Sequence, residues 1–168
     1  MQYALQKYYL LEPSEAYELV NSIEIYHPYG SVGYLPWMSS SNSLDFGADH
    51  DGRKVLALSG QIKTFTEGTD PDSSEINAIK KHITETNRIA FIGFAFHKLN
   101  MELMQPGFLQ LGDVDNVHCY ATTYGISNSD KSVIIKQING LFDSNVKIQM
   151  EDLVAQAFFK EFWRSLSF

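Results

Sequence analysis

The chain has one cysteine, Cys119, so it can form no internal disulfide and no cysteine zinc site. A single thiol suits a reducing cytoplasm. No apolar run reaches the ~18 residues that crossing a membrane requires, and the N-terminus shows no basic stretch leading into an apolar core. Neither a transmembrane helix nor a secretory signal is therefore expected, and no membrane partner. Positive charge is scarce and scattered: 13 lysines and arginines stand against 20 aspartates and glutamates, for a net charge of −7. Phosphate backbones repel such a chain, so no nucleic-acid partner is expected. Lys80-Lys81-His82 reads as a solvated helix face. No Walker loop, no Gly-x-Gly-x-x-Gly, no internal repeat and no spacing suggestive of a Ser-His-Asp triad appears.

What remains is an ordinary globular composition, 44% hydrophobic and 20% charged over 168 residues. That length fits one domain, residues 1–168, with a real core. Residues 2–11 read as a helix offering Tyr3, Ala4, Leu5, Tyr8 and Leu11 to a buried stripe. A second helix starts at Pro13-Ser14-Glu15, with Ser14 as its N-cap. Alternation over 23–27 and 62–66 suggests strands, and 38–53 reads as a long polar loop. In that loop His50, between Asp49 and Asp51, either takes a hard cation or is simply solvated.

Asp72 and Glu75 open a helix that turns Ile76, Ile79 and Ile83 toward a sheet, and the strand 88–92 follows as a parallel crossover. A further strand is expected at 118–123, then a helix capped by Ser129 or Asp130 and closed at Asn139-Gly140. A last helix is expected to run from Met150 through Leu153, Val154, Ala157, Phe158 and Phe162. Phe159, Trp163 and Leu166 widen its stripe enough to serve either the core or an interface. Strands alternating with helices predict a three-layer, Rossmann-like α/β domain around a parallel sheet.

The stretch Arg88–Gln105, RIAFIGFAFHKLNMELMQ, organises the rest. An apolar run, then Gly93, then a helical segment is the sequence of a core strand and its loop. It is equally the geometry by which α/β sheets meet ligands at their carboxyl rim. Gly93 allows close backbone approach, and His97 and Asn100, three apart, share a helical face. His118 falls at a strand start, the opposite end from that rim.

GFAFHKLN after an apolar strand resembles the Gly-Phe-x-Phe-His-x-x-Asn turn of the sirtuin-like families. Upstream, IYHPYGSVG with Leu35-Pro36-Trp37 is similar to the His-Gly-Ser and Leu-Pro block of the same families. The resemblance implies NAD as cofactor, bound by Gly30, Ser31, Gly93, Phe94, Ala95, His97 and Asn100. It also implies NAD glycohydrolase or deacylase-like chemistry, with complete relatives often acting in anti-phage defence. His97 and Asn100 would bond a ribose or phosphate, or else tie down their own loop.

The chain also departs from the family pattern. Where the family places its catalytic histidine, before the first glycine, stands Tyr29. A phenol, with a pKa of about 10, is a poor base at neutral pH. His27 is the candidate replacement, since residues two apart on an extended segment share a face; otherwise it only packs at the strand end. The family's upstream glycine-rich loop and Asn-Asp block are missing, as are the zinc cysteines of true sirtuins, so no metal is expected. The chain reads as the C-terminal portion of such a domain. It is expected to be inactive by itself and to pair with a partner chain or with itself. The alternative to an enzyme is a binding or interaction module without turnover.

Overall fold

The structure, a computed structural model, describes residues 1–31, 52–63, 70, 73–107, 116–142 and 146–167. Helix α1 (Gln2–Tyr9) ends at Leu10, which turns left-handed at φ 56°. Helix α2 (Pro13–Asn21) begins with a reciprocal cap between Glu12 and Glu15, in which the Glu12 amide donates to the Glu15 carboxylate at 2.9 Å. Glu12, not Ser14, is thus the N-cap. Proline at the first helical position forfeits an amide that would have had no partner in the helix. Ala16 and Val20 of α2 are buried, whereas α1 buries nothing. The stripe expected on α1 is real as a pattern, but Tyr3, Ala4 and Tyr8 are exposed.

Residues 23–27 are irregular, not a strand, and Ile23 and Ile25 remain 49% and 48% exposed. The strand expected at 62–66 lies mostly outside the described residues, as do His50 and most of the 38–53 loop. Gly52 and Arg53, assigned to that loop from sequence, instead open helix α3 (Gly52–Ser59). Helix α4 (Ser74–Glu85) is capped by Ser73, whose hydroxyl accepts from the Ile76 amide at 3.4 Å. It buries Ile76 and Ile83, as its periodicity predicts.

Strand β1 (Arg88–Phe91), helix α5 (Lys98–Met104), strand β2 (His118–Thr122), helix α6 (Asn128–Asn139) and strand β3 (Lys147–Glu151) follow. The three strands form a parallel sheet in the order β1-β2-β3. Arg88 pairs with His118 and His118 with Lys147, so the strands start in step and their carboxyl ends form one rim. The centre of this sheet is β2, not β1, with four of its five residues buried. Ala90 on β1 is exposed, so β1 is not the doubly buried strand its apolar run suggests.

Alternation along β2 assigns its two faces. Cys119 and Ala121 join Phe91, Ile83, Met101, Ile134 and Ile138 in one core, covered by α4, α5 and α6. Tyr120 points the other way, into Phe158 and Phe162. Those two come from helix α7 (Ala155–Glu161) and the corner before helix α8 (Trp163–Ser167). Helices therefore cover both faces of a small parallel sheet, the α/β arrangement expected. Met150 belongs to β3 and packs on the first core, so the last helix starts five residues later than its sequence stripe. No described helix is long and apolar enough to cross a membrane.

Candidate functional site

The carboxyl rim is where a ligand would be sought. Gly93 follows β1 at φ +63°, and a Cβ there would meet nothing. Its amide, however, is already used: it donates to the Thr122 hydroxyl at 2.8 Å. Thr122 in turn donates to the Phe91 carbonyl at 3.5 Å, pinning the end of β1 to β2. The same construction recurs one strand along, where the Gly125 amide donates to the Asp152 carboxylate at 2.9 Å. Both glycine turns are thus held by the neighbouring strand's end, and neither of these amides is open to a phosphate.

After Gly93 the chain makes an aromatic knot. Phe91, Phe94 and Phe96 sit with ring centroids 5.2 to 5.4 Å apart. Phe96 is buried at φ 51°, a left-handed backbone that a non-glycine residue adopts at a cost of about 1–2 kcal/mol. The buried ring holds that strain in place. Ala95 and His97 are exposed, and the His97 carbonyl accepts the Met101 amide to start α5. Asn100 lies one turn in, half-buried.

The second block meets the first at this point. Tyr29 donates its phenolic proton to the Asn100 side-chain oxygen. The Tyr29 carbonyl accepts the Lys63 amide at 2.8 Å, and Gly30, at φ +81°, lies against the Gln61 carbonyl so closely that a Cβ would sit 1.8 Å from it. The Gly30 loop is therefore fixed on two sides, against residues 61–63 and against α5. With its oxygen taken by Tyr29, Asn100 keeps its amide nitrogen as a donor with no described partner.

His27 is exposed, and its carbonyl accepts the Gly30 amide at 2.7 Å. Residues 27–30 thus form a turn rather than an extended segment. The alternation that was to align His27 with Tyr29 does not hold there. Ser31, next to Gly30, is exposed. Sequence reasoning named Asn100 and Gly93 but missed Thr122 and the bonding role of Tyr29. A threonine at a strand's end becomes informative only once the register sets it beside Gly93.

A separate polar cluster sits at the amino end of β1. Glu24 and His82 approach to 2.5 Å, while Tyr26 donates to Glu24 at 2.9 Å and lies 3.1 Å from His82. The hydrogen bond from Tyr26, then the contact with His82, holds the Glu24 carboxyl below its usual range. The same bond raises the Tyr26 phenol. Burial alone pushes the Cys119 thiol up to about 12, which keeps it protonated and inert. Among the described residues no three His, Cys, Asp or Glu side chains gather as a metal would need. Comparison with family models, curated proteins and solved structures returns no match to this chain.

Proposed function

We propose that this chain is a sirtuin-like, Rossmann-like module that binds NAD or a related nucleotide at the rim between the Gly30 loop and the Gly93 turn, without hydrolysing it. The observation that carries the reading is the hydrogen bond from Tyr29 to Asn100, which ties together the two blocks that resemble the family. The same bond argues against turnover. The residue in the catalytic position is a phenol committed as a donor, and the alignment that would let His27 replace it is missing. Ligand contacts fall to the Asn100 amide, His97, Ser31 and the backbone of Phe94 and Ala95, since the Gly93 amide is internal.

Thermal unfolding with and without NAD, paired with assay of released nicotinamide, tests this reading. NAD at about a hundred times its Kd adds about 2.7 kcal/mol, which raises the melting temperature of a domain this size by about 5–10 °C. Asn100→Ala removes most of that rise. Steady nicotinamide release would replace the binding module with an enzyme, and no rise at any NAD concentration would remove the nucleotide.

A second reading, a module that pairs with another chain or itself, is favoured by exposed apolar side chains on α1, at its C-cap and on the last helix: Tyr8 at 76%, Leu10 at 86% and Trp163 at 67%. Light scattering at tens of micromolar separates it from a monomer.

A further inference from the structure

A cavity of about 520 Å³ opens beside β1. Its floor is apolar, built from Ile79 and Ile83 of α4, Ile89 and Phe91 of β1, and Met104 of α5. Its mouth is polar, with Glu24, Tyr26, His82, Glu85, Thr86 and Arg88. Small-molecule sites commonly have such a volume and such an apolar lining with a few converging polar groups.

The charges at the mouth are unequally satisfied. Glu24 is taken by His82 and Tyr26, and Glu85 by Lys81 at 3.8 Å. The Arg88 guanidinium has no partner among the described residues. Its backbone is nevertheless clamped: Thr86 Oγ1 accepts the Arg88 amide at 3.3 Å and donates to the Arg88 carbonyl at 2.9 Å. Register with His118 fixes the same residue from the sheet side. An arginine clamped at its backbone, exposed at its side chain and unpaired among the described residues, stands beside an apolar floor and suits a planar anion carried on a hydrophobic body.

We infer that this cavity binds a small carboxylic acid with an aliphatic or aryl body, its carboxylate on Arg88 and its apolar part on Ile83, Ile89 and Met104. The bond is a two-pronged, charge-assisted one. The site is independent of the nucleotide reading, whose residues do not line it.

Titration calorimetry with octanoate, octanol and octylamine on the full chain tests the inference. Octanoate is expected to bind at least about tenfold more tightly than either analogue, the difference a charge-assisted pair supplies. Arg88→Gln is expected to erase that preference while leaving the weaker octanol binding in place, which shows that the cavity still forms. Ile83→Glu, placing a like charge in the floor, is expected to abolish binding of the acid, and circular dichroism checks that this variant folds. Equal binding of all three compounds, an octanoate affinity unchanged by Arg88→Gln, or no octanoate binding at millimolar concentration would each overturn the proposal.

Discussion

At the scale of single residues, the two positive-φ glycines of the resembling blocks are held to different standards. Gly93 has open space where a side chain would start, so Gly93→Ala carries only the left-handed backbone cost, about 1–2 kcal/mol. Gly30→Ala meets the Gln61 carbonyl as well, and the loop must give way. Chemical denaturation should show Gly30→Ala the more destabilising, by about 1 kcal/mol or more beyond Gly93→Ala. A reversed order would mean that the Gly30 loop does not rest on residues 61–63. Glu24 offers a pH test. Its pKa is lowered in the fold by Tyr26 and then His82, so its contribution is present above the ordinary carboxylate value, about 4.3, and is lost as pH falls through the lowered value. The wild type should therefore be more stable than Glu24→Gln at neutral pH, and the two melting temperatures should converge on acidification. A gap that persists at low pH would contradict the assignment.

At the scale of elements, local chemistry decided more than periodicity. Helix α6 begins at Asn128 because Ser127 accepts the Asp130 amide at 3.1 Å and donates to the Asp130 carboxylate at 2.8 Å. The sequence offered Ser129 and Asp130 as caps, and only the bonding pattern selects Ser127. Ser127→Ala should cost about 1 kcal/mol and Ser129→Ala a few tenths at most, measured by thermal unfolding. The helices α4 and α6 and the strands β1 and β2 were legible because their apolar spacings are strong and a sheet stands ready to receive them. Strand β3 was not, because Met150, its fourth residue, is spaced from Leu153 and Val154 as a helix stripe would be. Residues 23–27 failed in the opposite sense: Ile23 and Ile25 alternate correctly but have no sheet neighbour among the described residues to bury them. Helix α1 likewise packs chiefly against α2, and its Tyr3, Ala4 and Tyr8 stay exposed.

At the scale of the whole molecule, the coarse architecture followed from the sequence and the site followed only in part. Parallel strands with helices on both faces need hydrophobic runs separated by helix-length segments, and those are visible in a bare sequence. What joins Tyr29 to Asn100 and Thr122 to Gly93 is contact across the fold, between residues separated by long stretches of chain, which no local pattern encodes. The rim so assembled is internally bonded. That favours a ligand held by side-chain amides and exposed backbone over one cradled by a glycine-rich loop. The most direct measurement is an amide and side-chain NMR titration of the chain with NAD. Saturable shifts are expected at Ser31, Ala95, His97 and the Asn100 side-chain amide, with Ile83 and Ile89 unmoved. Shifts confined to the cavity beside β1, or none at all, would contradict the nucleotide reading.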